Sequence, residues 1–228
     1  MKGGAMDKIQ LGSLFYPTKD KDGNVIPFDN LFIPFIYKEI YLEGVYVDLM
    51  NNRQDLTILD IGSNIGITVQ YFRDYAKKVY ALEPSSEHFA ALKKNKEFNK
   101  WDNVDIFNVA LSDKDGEATL SYHIENRTCN SITKNYGQGS EKVKTVAFDT
   151  FFKENKIDKI DFCKFDVEGA EDLILRSESF KKVADKISAI EVEFHEPDWE
   201  NLVKYMIETF GYEARRYPSS AIIVLFSK

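Results

Sequence analysis

From residue 56 onward, short apolar runs alternate with segments whose apolar residues recur at helical spacing. Leu56–Ile61, Val79–Leu82, Val104–Val109, Ile160–Phe165, Ile187–Phe194 and Ala221–Phe226 read as strands. Between the first two, Ile65, Val69, Phe72 and Ala76 mark one helical face. Ser85 and Ser86 offer caps to a second helix with Glu early and Lys late, which suits the helix dipole. A third helix is expected from about Gly169 to Phe180. Trp199, Leu202, Val203, Met206, Ile207 and Phe210 form the core-facing stripe of a fourth. The alternation predicts βαβ units, hence an α/β fold with a mostly parallel sheet and helices on both faces.

Two stretches depart from this alternation. Residues 117–150 hold two β-like runs, Ala118–His123 and Lys142–Phe148, around a polar loop with Gly137 and Gly139. They predict a hairpin or sheet-edge excursion inside a main domain of residues 51–228. Residues 1–50 read as an N-terminal appendage covering the core or roofing a pocket. It carries a turn signal at Asp22-Gly23-Asn24, apolar Phe32, Phe35, Ile36, Ile40 and Leu42, and a short helix within Ile36–Met50. Residues 1–5 read as a tag remnant, and Met1–Met6 shows no apolar core of a secretory leader.

A chain of 228 residues suffices for one well-buried domain with an appendage, and 17 Phe and 12 Tyr supply core and pocket walls. The net charge of -7 argues against a nucleic-acid partner, which needs a basic face. No apolar run approaches the ~20 residues that span a bilayer, so no membrane insertion is expected. The two cysteines, Cys129 and Cys163, have no metal-ligand spacing and fit a reducing cytoplasmic setting.

Ligands of open parallel sheets bind beyond the carboxyl ends of the strands. The turn Asp60-Ile61-Gly62-Ser63-Asn64-Ile65-Gly66 closes the first strand there. Gly62 stands where the backbone must turn and a ligand come close, and Gly66 in the first turn of the next helix. Free N–H groups at that helix start suit a carboxylate. Glu83 ends the second strand 21 residues after Gly62, placed to accept hydrogen bonds from ribose hydroxyls, and Pro84 fixes the loop after it. The plain alternatives are an ordinary strand-to-helix turn and a solvated strand end. A nicotinamide oxidoreductase would need Gly-x-Gly-x-x-Gly for its pyrophosphate, and Asn64 occupies the middle position.

The stretch Ile58–Gly66 resembles the first motif of class I methyltransferases, in the Asn-bearing form of the FkbM family. Val79-Tyr80-Ala81-Leu82-Glu83-Pro84, Asn108–Asp113 with Gly116, and Ile160–Glu171 are similar to that family's further motifs. The resemblance covers roughly residues 56–195. It implies a Rossmann-like, seven-stranded, mostly parallel sheet with the last strand antiparallel. It also implies S-adenosylmethionine as cofactor and O-methyl transfer to sugars, glycans or small secondary metabolites. The family's cofactor contacts fall on Asp60, Gly62, Asn64 and Gly66, with Ser63 in the same turn, for the methionine end. Glu83 with Pro84 matches the ribose site. Ala110 and Leu111 match the adenine site, with Ser112 or Asp113 reaching the exocyclic amine.

A sugar hydroxyl is a poor nucleophile, so a base or a metal would help. Asp166, ending the fourth strand, and Glu168, just before Gly169, are catalytic candidates; helix capping is their plain alternative. Glu171, one turn later, is expected in solvent. Alternation puts Glu191, Glu193 and His195 on one face of the fifth strand. His195 is placed to act as general base, or to join Asp166 and Glu193 as ligands of a divalent cation such as magnesium. His88 and His123 have weaker claims. Tyr122, Arg127, Asn130 and Tyr136 suit contacts to a polyhydroxylated acceptor. The expected partner is a small-molecule or carbohydrate acceptor, with a homodimer left open. The non-catalytic alternative is a methyltransferase-like binding subunit.

Overall fold

The computed structural model describes residues 8–11, 14–17, 36, 38–50, 52–123, 129–217 and 222–228. Expectations on Asp22–Asn24, Phe32, Phe35 and Arg127 lie outside them. A short antiparallel hairpin, β1 (Lys8–Leu11) and β2 (Leu14–Pro17), comes first. The helix expected within Ile36–Met50 is two pieces, a π-type turn over Lys38–Leu42 and α1 (Val47–Met50). Gly44, at φ 69°, separates them in a conformation that suits glycine.

The main domain then runs β3 (Leu56–Ile61), α2 (Ile67–Phe72), β4 (Ala76–Leu82), α3 (Ser86–Asn99) and β5 (Val104–Phe107). After β6 (Ala110–Ser112), β7 (Gly116–Ser121), β8 (Ser140–Ala147) and α4 (Phe148–Glu154) come β9 (Phe162–Phe165), α5 (Glu171–Leu175) and α6 (Glu178–Lys181). The chain closes with β10 (Ala189–Phe194), α7 (Trp199–Phe210), β11 (Glu213–Arg216) and β12 (Ile222–Ser227). The seven-stranded sheet has the order β11-β12-β10-β9-β3-β4-β5, parallel from β10 to β5, with β12 antiparallel to both its neighbours. The excursion is a separate three-stranded sheet, β6-β8-β7, in which β7 and β8 form the expected antiparallel pair.

Several boundaries moved for local reasons. Ala76 opens β4 instead of ending a helix: Asn103 Nδ2 donates to the carbonyls of Arg73 and Ala76 at 2.9 and 2.7 Å, which satisfies the chain as it leaves α2. The third strand stops at Phe107 because the Asn108 amide ties to the carbonyls of Glu83 and Pro84. The helix expected over Gly169–Phe180 is broken in two, with Ser177 capping α6 through the Phe180 N–H at 3.0 Å. The sequence reading had no strand at β11, whose residues Glu213, Ala214, Arg215 and Arg216 are all exposed and carry no apolar alternation.

Two apolar layers pack on the sheet. Alternate residues of β3 enter each: Leu56 and Ile58 join Phe72, Leu92 and Trp101, whereas Leu59 and Ile61 join Phe148, Phe180 and Met206. Leu202 and Met206 of α7 are buried as its stripe predicts, although Ile207 remains 41% exposed. Among the described residues no helix is long and apolar enough to cross a membrane.

Gly66 is the N-cap of α2 at φ 94°, and a Cβ there would lie 2.7 Å from Leu92 Cδ1 and 2.9 Å from the Trp101 ring. Gly66→Ala is therefore expected to cost about 2 kcal/mol, lowering Tm by about 4–8 °C in calorimetry. An unchanged Tm would show that the Leu92–Trp101 wall gives way freely.

Candidate active site

The turn after β3 is fixed from three sides. The N–H groups of Gly62 and Ser63 both donate to the Leu82 carbonyl at 3.0 Å, and Gly66 N–H donates to the Ser63 carbonyl at 2.8 Å. Ser63 Oγ donates to the Asp60 carbonyl, and Asn95 Nδ2 to that of Ile65, each at 2.8 Å. Gly62 sits at φ 80°, and a Cβ on it would fall 2.1 Å from the Asp166 carbonyl oxygen. Glycine is thus dictated by the approach of β9 as well as by the turn. Both Glu83 oxygens accept backbone N–H groups at 2.8 Å, from Asn64 and from Ser85, so this carboxylate clamps the turn to the start of α3. Asn64 Oδ1 is buried with no hydrogen-bond partner among the described residues.

The turn opens on a cavity of about 630 Å³. One end has apolar walls from Leu82, Val109, Ala110, Leu111 and Leu120, beside Glu83 and Pro84. The other end is charged. Side chains of Lys164 and Asp166, Glu191 and Glu193, and Glu168 and His195 line it, and Ile36, Ile40 and Tyr46 of the N-terminal segment also line the cavity.

His195 organises this second end. Its Nδ1 lies 2.7 Å from Glu171 Oε1, while Nε2 faces Glu168 Oε2 at 3.4 Å, Glu193 Oε1 at 3.8 Å and Asp166 Oδ1 at 3.9 Å. Burial opposes the charged imidazole, but the Glu171 hydrogen bond and the carboxylates around it win, pushing its pKa up to about 9. Burial, then the Asp166 charge, pushes Glu168 up to about 8. For Glu193 the Asp166 charge comes first and burial second, giving about 7. Lys164 Nζ binds Asp166 Oδ2 at 2.9 Å, and its pKa is raised: burial opposes the charge, but Asp166 and Asp60 outweigh it.

A family model described as a methyltransferase FkbM domain matches residues 60–217. The chain belongs to the FkbM methyltransferase family. A methyltransferase FkbM of Methylobacillus flagellatus KT superposes with a TM-score of 0.54 at 14% identity, over 84% of this chain and 48% of that one. An rRNA methylase of Streptococcus thermophilus does so at 0.52 and 12% identity, over 79% and 91%. These likenesses show the fold, the Rossmann-like one of class I methyltransferases. The AMB antimetabolite synthetase AmbE of Pseudomonas aeruginosa is 32% identical over 95 residues. That stretch is 39% of this chain and 4% of the synthetase, so the chain spans a small part of that protein and about half of the Methylobacillus one.

Within this FkbM-family fold, Gly62, Ser63, Asn64, Glu83, Pro84, Ala110 and Leu111 line the cavity together with Asp166, Glu168, Glu193 and His195. Gly66 and Asp60 support it from behind. Gly66 packs on Leu92 and Trp101, and fully buried Asp60 accepts the Thr68 hydroxyl at 2.5 Å. Asp113 is not among the lining residues; it accepts the Ser112 hydroxyl at 3.1 Å. Asn130 lines the cavity, whereas Tyr122 and Tyr136 do not. The candidate metal set shifts: Asp166, Glu168 and His195 each offer a ligand atom within 4.8 Å of the others, without Glu193.

Two expectations are corrected. Glu171 is 2% exposed, not solvated, because it holds His195 and accepts the Gly169 N–H. The helix expected to start at Gly169, directly after Glu168, begins only at Glu171, with φ 53° at Glu168 and 102° at Gly169. The sequence reading also missed Tyr46 and Lys164, and gave His88 a weaker claim than its place warrants. His88 lines the cavity with Nδ1 3.8 Å from Glu83 Oε1. Lys164 carried a signal, a lysine inside a strand otherwise apolar on both faces. An NMR titration of His195 is expected to show a midpoint near 9 that Glu171→Gln brings well down, as the charged acceptor on Nδ1 is lost. A midpoint that stays near 9 in the variant would assign the shift to Glu168 and Asp166 instead.

Proposed function

We propose that the protein is an S-adenosylmethionine-dependent O-methyltransferase acting on a hydroxyl of a sugar, glycan or small metabolite. The observation that carries this reading is one cavity joining a clamped Gly62–Gly66 turn to the Asp166–Glu168–Glu193–His195 cluster. The residues fit the cofactor: Asn64 Oδ1 is a buried acceptor awaiting a donor such as an ammonium, and Glu83 has further lone pairs for ribose hydroxyls. Pro84, Ala110 and Leu111 give an apolar slot for a base. When bound, S-adenosylmethionine supplies an electrophilic methyl group on a sulfonium.

Glu168 acts as the general base. Its carboxyl, held near 8, is ionised and able to take a proton on the mildly alkaline side of neutrality. His195, protonated over the same range, holds the surrounding carboxylates in place, and Glu171 fixes the ring. With that donor bound, Glu168 would take the proton of the acceptor hydroxyl as the hydroxyl oxygen accepts the methyl group. Lys164 already pairs with Asp166 Oδ2, and His195 with Glu171, so the candidate ligands have partners of their own, which favours a metal-independent reaction. The carboxylate-rich end and the net charge of -7 favour a small neutral or cationic acceptor over nucleic acid.

Calorimetric titration with S-adenosylmethionine is expected to show binding at one site; absence of binding sinks the assignment. With a panel of hydroxylated acceptors, release of S-adenosylhomocysteine is expected to rise with pH through about 8, as Glu168 loses its proton. Glu168→Gln should lower that rate about 100-fold or more while cofactor affinity holds, and a chelator should leave the rate unchanged.

A further inference from the structure

The floor of the charged end is a row of three buried charges crossing the centre of the sheet. Lys164 on β9 is the register partner of Asp60 on β3 and of Glu191 on β10. These residues are 8%, 0% and 5% exposed. Side chains in register on parallel neighbours share a face, so one ammonium lies between two carboxylates. Yet the bond it makes is to a third, Asp166 Oδ2, at 2.9 Å.

The flanking carboxylates are satisfied from outside the row. The Thr68 hydroxyl donates to Asp60 Oδ2, and the Tyr46 hydroxyl donates to Glu191 Oε1 at 2.9 Å. Tyr46 comes from the N-terminal segment that lines the cavity, 145 residues away in sequence from its partner. Without its hydroxyl, Glu191 would keep a buried oxygen with no donor, and Lys164 is the nearest cation in register. A buried carboxylate does not stay unpaired when a cation can turn to it.

We propose that Tyr46 and Lys164 are positioning residues: by occupying Glu191, the Tyr46 hydroxyl leaves the Lys164 ammonium to Asp166, and so aims the Asp166 carboxylate at the cofactor turn. Asp166 adjoins that turn, its Cβ lying 3.7 Å from where a Gly62 Cβ would be. A carboxylate fixed there favours a sulfonium ligand over its neutral thioether product. The seating of the N-terminal segment is thereby coupled to the charge that the cofactor meets.

The inference rests on the S-adenosylmethionine reading, and its test needs no acceptor. Affinities for S-adenosylmethionine and S-adenosylhomocysteine are measured by calorimetry on the full chain. The wild-type protein is expected to prefer the sulfonium, and Tyr46→Phe to cut that preference about tenfold, the effect of misplacing one nearby charge. The decisive variant is Tyr46→Phe with Glu191→Gln. With the competing charge gone, Lys164 returns to Asp166 and the preference recovers, where a packing role would give two additive losses. S-adenosylhomocysteine affinity close to wild type shows that each variant is folded. Both ligands binding with an unmoved ratio, or a double variant worse than Tyr46→Phe, overturns the proposal. Binding of neither ligand by the wild-type protein would overturn the cofactor reading itself.

Discussion

The burial of Lys164 between two acidic strand residues is the constraint on which the rest of the site depends. Asp60, Lys164 and Glu191 lie on the sheet face where apolar side chains would otherwise continue the core. Taking three charges out of water is costly, and the cost is tolerable only where hydrogen bonds complete the set. Thr68 and Tyr46 complete it here. The residual tension is visible in burial pushing Asp60 up to about 6 and Glu191 to about 7. Buried ion pairs are often no more stabilising than hydrophobic residues of similar volume, so stability alone does not explain the row. A fixed field at the carboxyl ends of β3, β9 and β10 does, because groups held in place beforehand need no reorganisation when charge changes during reaction.

The cofactor end follows a different rule: closeness of backbone, not charge. Gly62 lets β9 come within contact of the turn, and Gly66 lets α3 and Trp101 do the same on the far side. Glu83 has two duties. It clamps the Asn64 and Ser85 amides and retains the lone pairs that suit a ribose. A carboxylate already held by two amides does not have to lose rotamer freedom when a ligand arrives, which keeps the cost of binding low.

What the sequence disclosed follows the range of the interactions involved. Strands with apolar runs and the Asp60–Gly66 turn were legible because their causes are local: alternation, a glycine where φ is positive, an acid at a strand end. β11 was invisible because an exposed edge strand of Glu, Ala, Arg and Arg has no periodicity to betray it. Glu171 was misplaced because its burial is set by His195, 24 residues away just past the end of β10. Tyr46 lay further out of reach, since nothing near it in sequence announces a partner on β10. Asp166, Glu168, Glu193 and His195 were found one at a time by position. Their meeting around a single imidazole is a product of the strand order, which spacing does not encode.

The two ends of the cavity together restrict the chemistry. At the charged end Asp166, Glu168, Glu171 and Glu193 crowd around one imidazole. Within the cluster, the same crowding keeps Glu168 and Glu193 protonated near neutral pH more than a lone carboxyl would be. On the proposed reading crowding raises the proton affinity of the base toward what a hydroxyl requires, while Asp166, beside the turn, is the carboxylate that a cationic methyl donor meets. A donor without positive charge would gain nothing from that carboxylate, which supports reading the acid cluster and the turn as parts of one reaction.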